Sequence, residues 1–267
     1  MHSYSSPAAR TNTRRPKKTR KKHKTSAFKK FGRACIAVLL VSIIGWITIS
    51  SIGEHWVRKE KLAAFEHPSA TYVEVEKMPD YVWQAFTAIE DHRFPYHPGV
   101  DPLSIGRALW VNLSTDSKAQ GAGTITMQLA RNLFLTHDKT MERKLKEAAI
   151  AVYLEQRYTK QELLGMYLNT IYFGHGTYGL EKASQYYFSK TVRKDGEDAT
   201  ISLGEAALLA SLPKAPESYS PVKHMKKAKQ RQQLVLNRME ELGFITKKEK
   251  EYALKQPIVI SKKPPFI

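Results

Sequence analysis

The sequence predicts a mainly α-helical protein, with one transmembrane helix ahead of a helical domain. Two observations carry that prediction. Residues 34–53, A-C-I-A-V-L-L-V-S-I-I-G-W-I-T-I-S-S-I-G, are a run of 20 without a charge, and a helix of that length spans about 30 Å, the thickness of a bilayer's hydrocarbon core. From about residue 60 to 245, apolar residues recur at three- and four-residue spacing while Val/Ile alternation is scarce, which favours helices over strands.

The elements follow in chain order. Residues 1–33 are a basic tail with 12 Lys and Arg and no acidic residue. The 267-residue chain holds 43 Lys+Arg against 25 Asp+Glu, a net charge of +18 that would ordinarily suggest nucleic acid or an acidic membrane surface. Beyond the tail, however, 31 basic residues face 25 acidic ones. The tail carries no aromatic residue between Tyr4 and Phe28 for stacking on bases, and it abuts an apolar span. The expected partner is therefore the lipid bilayer, with no nucleic acid. By the positive-inside rule the N-terminus is cytoplasmic and everything after Gly53 lies outside. The run exceeds the h-region of a cleaved signal peptide and lacks the polar stripe of a core helix, so a retained single-pass anchor is the preferred reading. Cys35, at its inner boundary, is the one cysteine, which excludes an intramolecular disulfide framework and a multi-cysteine zinc site.

Residues 54–69 read as a linker, 70–245 as the folded domain and 246–267 as a C-terminal segment or linker. In the domain, Asp80 is expected to cap a helix carrying Val82, Phe86 and Ile89 that ends before Pro95. Further helices are expected over 124–133, 141–158, 160–168, 178–188, 203–212 and 228–242. The 141–158 helix is given an apolar face of Leu145, Ala148, Ala149, Val152 and Leu154. Gly174, Gly176 and Gly179 mark a turn, and the ending Q-P-I-V-I-S-K-K-P-P-F-I has the look of a short strand or a linker.

Three constellations could carry chemistry. In E-D-H-R-F-P-Y-H-P-G, Glu90 and Asp91 stand at a helix end beside Phe86 and Phe94, where desolvation would raise a carboxyl pKa as a general base requires; a solvated polar helix end fits equally well. In Q-G-A-G-T-I-T-M-Q-L-A-R-N, a glycine-rich turn feeds a helix capped by Thr124, with Thr126, Gln128 and Arg131 as donors to a phosphate; ordinary capping is the alternative, and no Walker loop is present. In R-K-L-K-E-A, Arg143 and Lys144 share a helical face with Glu147, either as a surface ion pair or as cations facing a phosphate.

In order and spacing, five motifs resemble the peptidoglycan glycosyltransferases of bacterial cell-wall synthesis, found as monofunctional enzymes and as the N-terminal half of class A penicillin-binding proteins. They are E-D-H-R-F-P-Y-H at 90–97, G-A-G-T-I-T-M-Q-L-A-R-N at 121–132, R-K-L-K-E-A at 143–148, K-Q-E-L-L-G-M-Y-L-N at 160–169, and E-A-A-L-L-A-S-L-P-K-A-P with the later Arg231. The resemblance covers roughly residues 70–240. It implies a lysozyme-like, mainly helical domain with a smaller membrane-facing jaw around Ile105, Leu109, Trp110 and Val111. The implied substrate is lipid II and the implied product a glycan strand. Glu90 matches the base that deprotonates the acceptor's 4-hydroxyl, in a displacement that inverts the donor sugar. Glu147 matches the second catalytic-site carboxylate. Asp91, Phe94, His97, Thr124, Gln128, Arg131, Asn132, Arg143 and Lys144 fall on substrate-binding positions. The resemblance requires no cofactor, is compatible with a divalent cation (Mg or Mn), and is compatible with other cell-wall synthesis proteins as partners.

The second motif departs from the usual G-G-S-T-I-T-Q-Q-L-x-K-N: Gly123 replaces Ser, Met127 replaces Gln with the loss of a cleft contact, and Arg131 replaces Lys. In the fourth, Gly165 stands where Glu is common, and Gln232 stands where a second Arg is frequent. Paired carboxylates also suit a membrane-anchored, lysozyme-like glycoside hydrolase, which needs no cationic cluster. A non-catalytic wall-binding protein is the third alternative, disfavoured by intact Glu90 and Glu147. Ser211-Leu-Pro-Lys214 fits S-x-x-K, but no K-T-G accompanies it, so nothing supports a penicillin-sensitive half.

Overall fold

A computed structural model describes residues 22–66, 68–114, 123–136, 138 and 140–261. The basic tail before residue 22, Gly121 and Ala122 of the second motif, the side chain of Leu109 and the last residues 262–267 lie outside the described ones. The chain divides into two units, Met1–Gly45 and Trp46–Ile267.

The first unit holds most of α1 (Lys22–His55), within which Lys29–His55 is long and apolar enough to cross a membrane. Ile36, Val38, Leu39, Leu40 and Val41 are all exposed on it. An apolar, exposed helical surface of this length suits lipid.

The second unit is helical, and no strand occurs among its described residues, only isolated bridges such as Tyr172 with Tyr178. After α2 (Lys59–Glu66) come α3 (Asp80–Glu90), α4 (Pro102–Ser114), α5 (Ile125–Phe134), α6 (Met141–Glu155), α7 (Lys160–Thr170) and α8 (Leu180–Phe188). α9 (Leu203–Ala210), α10 (Pro216–Tyr219), α11 (Pro221–Glu241) and α12 (Lys247–Lys255) complete it. Two groups of helices share one core: α5 packs on α6 and α7, while α3 packs on α9 and α11. Phe86, Leu129, Ile150, Tyr167, Leu209 and Leu236 fill the core. Helix starts are written in the sequence as T/S-x-x-E. Thr159 with Glu162, Ser202 with Glu205 and Thr246 with Glu249 each form a reciprocal capping box at the head of α7, α9 and α12.

Several expectations are corrected. Asp80 is the first helical residue of α3, preceded by Pro79, and makes no side-chain cap; its carboxylate instead lies in the first turn, where the helix dipole favours negative charge. Leu145, expected on the apolar face of α6, is 70% exposed. The reason is angular: Glu147 is buried, and a residue two positions away on a helix points to nearly the opposite side. The helix expected over 228–242 starts earlier, at Pro221, with a kink at His224. The stretch 54–69 carries α2, whose Leu62 joins the core, and 246–267 carries α12, followed by 257–260 in neither helix nor strand. The Ile105–Val111 stretch lies in α4, with Leu103 and Trp110 exposed and Ala108 buried.

Candidate active site

Glu90 is the last residue of α3, which places it where the two helix groups meet. The chain leaves the helix at Asp91, in extended φ of −160°, and turns through a short 3-10 stretch at Phe94–Tyr96. The buried Asp91 carboxylate faces inward: Oδ2 accepts the Ile125 N–H at 3.0 Å and stands 2.9 Å from His97 Nε2. Ile125 opens α5, so Asp91 satisfies an amide that has no partner inside its own helix. Thr124 caps the same helix by accepting the Met127 N–H at 3.1 Å and donates its hydroxyl to the Gly99 carbonyl. Phe94 is buried edge-on to His97, and the Lys160 ammonium lies 4.3 Å over its ring while donating to the His97 carbonyl. Asp91, Thr124, His97 and Phe94 thus lock the end of α3 to the start of α5.

That lock aims Gln128 at Glu90. Gln128 lies one turn past the cap of α5, and its Nε2 donates to Glu90 Oε2 at 2.8 Å. Its own carbonyl accepts the Tyr167 hydroxyl at 3.3 Å, which orients the amide. Burial raises the Glu90 pKa above the ordinary carboxylate value; the Gln128 hydrogen bond and the charges of Arg231, Lys214 and Arg131 oppose the rise without cancelling it. Burial, then the charge of Glu90, also pushes the Tyr167 hydroxyl well above its usual value. Glu90 opens on a cleft of about 440 Å³ that is also lined by His92, Ser104, Arg107, Gly123, Arg231 and Arg238. Burial, followed by the charges of Arg238, Arg93 and Arg107, lowers the His92 pKa and favours its neutral form.

Glu147 sits on α6 with its side chain 1% exposed, and two cations close on it: Arg143 Nε at 3.1 Å and Lys144 Nζ at 2.8 Å. The pair is therefore not a surface one. Gly123 joins the two regions, since it lines the Glu90 cleft and a Cβ there would lie 3.2 Å from Lys144 Nζ. Asn132 lies beside Arg131 on α5, half-buried, and among the described residues no hydrogen bond or ion pair ties it or Phe94 to Glu90. No cluster of three His, Cys, Asp or Glu side chains suited to a metal occurs among the described residues.

The departures acquire physical reasons. Met127 is buried in the interior and is not among the residues lining the Glu90 cleft. A Cβ at Gly165 would lie 2.9 Å from the Tyr72 hydroxyl, which occupies the room a longer residue would need. Gln232 is buried and donates to the Gly204 carbonyl. The residues least prominent in the sequence are Lys214 and Arg231, whose charges act on Glu90 from more than 120 positions away. Their one signal was the fifth motif, which holds the first and precedes the second. The Arg231 Nε–H has no hydrogen-bond partner among the described residues, and its guanidinium lies 5.2 Å from the Tyr219 ring centre.

A family model described as transglycosylase matches residues 58–240. Penicillin-binding protein 1F of Bacillus subtilis is 41% identical over 230 residues, covering 80% of this chain and 31% of its own. Penicillin-binding protein 1A of Aquifex aeolicus is 48% identical over 191 residues, covering 72% of this chain and 26% of its own. A Cupriavidus necator protein carrying the transglycosylase name is 40% identical over 235 residues, covering 86% of this chain and 98% of its own. The chain therefore spans less than a third of the two penicillin-binding relatives and nearly all of the third protein.

Proposed function

The chain belongs to the transglycosylase family, and on that premise we propose that it is a membrane-anchored peptidoglycan glycosyltransferase that polymerises lipid II into glycan strands. One observation carries the reading: Glu90 lines a cleft shared with Arg107, Arg231 and Arg238, in surroundings that raise its pKa, with one amide to orient it. A base working near neutral pH needs that rise, because a carboxylate of ordinary pKa takes a proton too weakly.

The reaction then balances as a single displacement. Glu90 removes the proton of the acceptor's 4-hydroxyl as that oxygen forms its bond to the donor's anomeric carbon. The bond from that carbon to the pyrophosphate breaks, its electron pair leaves with the pyrophosphate, and the configuration inverts. Charge develops on the leaving group, and fixed cations stabilise it most where they need no reorganisation. Arg131, Arg143 and Lys144 take that role, supported by Lys214 and Arg231. Asp91, Thr124, His97 and Phe94 act by holding α3 and α5 in register, and Asn132 lines the approach. The apolar helix anchors the enzyme beside its lipid-linked substrate, with the basic tail cytoplasmic and the domain outside.

The test is incubation of the full chain in proteoliposomes with labelled lipid II. The expected product is polymer. Release of reducing ends from finished glycan without polymer would assign the site to hydrolysis instead.

A further inference from the structure

We infer that Ser50 and Gly53, in the last turns of α1, are positioning residues for the cationic cluster on α6; the inference rests on the reaction proposed above. The starting point is the apolar run A-A-I-A-V-Y-L in α6. From Ala149 to Leu154 six consecutive residues are buried, which exceeds one helical turn, so this stretch is covered on every side. The core receives Ile150, Tyr153 and Leu154.

The end of α1 seats directly on this stretch. A Cβ built on Gly53 would lie 2.1 Å from the Ala149 carbonyl oxygen, so the helices meet backbone to backbone. Close approach of this kind needs a small residue at the contact. Just before it, Ser50 is buried and donates its hydroxyl to Gln156 Oε1 at 2.7 Å. Just after it, Glu54 lies 3.8 Å from Arg157, and the Lys146 ammonium lies 5.3 Å from the Trp56 ring centre. The other glycines of α1, Gly32 and Gly45, have nothing within 4 Å of a built Cβ.

The seat lies beside Arg143, Lys144 and Glu147 on the same helix. A side chain at position 53 must push the two backbones apart, and the shift passes along α6 to the three charged groups. Misplacing such groups by about 1 Å can cost on the order of a hundredfold in rate. A simple tether would behave differently, since it acts only by keeping enzyme and substrate in one membrane.

The experiment compares the full chain with Gly53→Leu, Gly53→Ala and Gly45→Leu in proteoliposomes, using long-chain lipid II and a short-chain, water-soluble analogue. The expected result is a kcat at least tenfold lower for Gly53→Leu on both substrates, a smaller loss for Gly53→Ala, and no change for Gly45→Leu. Hydrogen exchange of peptides covering 148–157 should quicken in the Gly53 variants alone. Unchanged kcat or unchanged exchange overturns the inference, as does a loss confined to the long-chain substrate. If Gly53→Leu fails to fold, Gly53→Ala decides by the same criteria. Absence of polymer from the unsubstituted chain defeats the proposed reaction and the positioning role with it, while exchange still reports the seat.

Discussion

Glu90 and Glu147 are the same residue type taken out of water in two different ways. Glu90 receives one neutral amide at 2.8 Å, and its cations act from farther off, so burial wins and its pKa rises. Glu147 is more deeply enclosed but has an arginine and a lysine at ion-pair distance. Burial alone therefore does not assign a role; the partners do. A carboxylate whose surroundings favour the protonated form is suited to accept a proton, whereas one flanked by two cations is suited to fix them in place.

The largest effect expected from this contrast is at Glu90. Glu90→Gln keeps the shape and cannot accept a proton, so lipid II turnover should fall by about 10²- to 10⁴-fold. Stability should move the other way. A group whose folded pKa is raised contributes stability that is present below its unfolded pKa and is lost as pH rises through the folded value. At neutral pH the charged Glu90 is therefore a cost, and Glu90→Gln should melt higher than the parent chain at pH 7 and level with it below about pH 4, near the unfolded carboxylate range. A variant that melts lower at pH 7 would remove the environmental distinction.

Glu147→Gln comes next, with the opposite signature. It withdraws the acceptor from two charge-assisted contacts, worth about 1.5–3 kcal/mol each before allowing for the partial exposure of Lys144. Both turnover and melting temperature should fall, and circular dichroism with the polymerisation rate checks the pairing. If Glu147→Gln kept its stability, Arg143 and Lys144 would not depend on it for placement.

Much of this contrast was legible in the sequence, and the missing parts have physical causes. Thr124 announced itself as a cap and Glu90 as a helix-end carboxylate among aromatics, because both signals are local. The burial of Glu147 was not legible: R-K-L-K-E at helical spacing reads the same on a surface as inside a protein, and only the packing around α6 decides. The engagement of the Asp91 carboxylate with the Ile125 amide joins residues 34 apart, and periodicity carries no information on such pairs. Leu145 departs from the expected apolar face because the buried face near the start of α6 belongs to the charged residues around Glu147. The seat of Gly53 on Ala149 joins elements almost a hundred residues apart, through a residue with no side chain to signal it.

A smaller effect sharpens the Glu90 side. The Gln128 hydrogen bond holds the Glu90 pKa down, so Gln128→Leu should raise it further. Because the reaction needs the deprotonated form, the acidic limb of the rate profile should move to higher pH. Relative to the parent chain, the variant's activity should be lowest at the acidic end of the profile and recover as pH rises. An unshifted limb would mean that the amide orients Glu90 without affecting its charge.

The smallest effect is expected where the two regions touch. At Gly123 a serine Cβ would meet Lys144 Nζ at 3.2 Å, tighter than ordinary contact but against the far end of a flexible side chain. Lysine has rotamer freedom to yield by a few tenths of an ångström, and a serine hydroxyl can accept one of its three donors. Gly123→Ser should therefore change kcat by less than about threefold and leave KM for lipid II nearly unaltered, since two of the ammonium's donors stay free for Glu147 and the substrate. Steady-state rates for Gly123→Ser, with Gly123→Leu as the bulkier comparison, separate two outcomes. Tolerance of serine with loss at leucine would show that the Glu90 cleft and the Glu147 cluster are neighbours able to adjust independently. A tenfold loss already at serine would show that Lys144 is fixed to within a few tenths of an ångström, which would make the two carboxylates one coupled site.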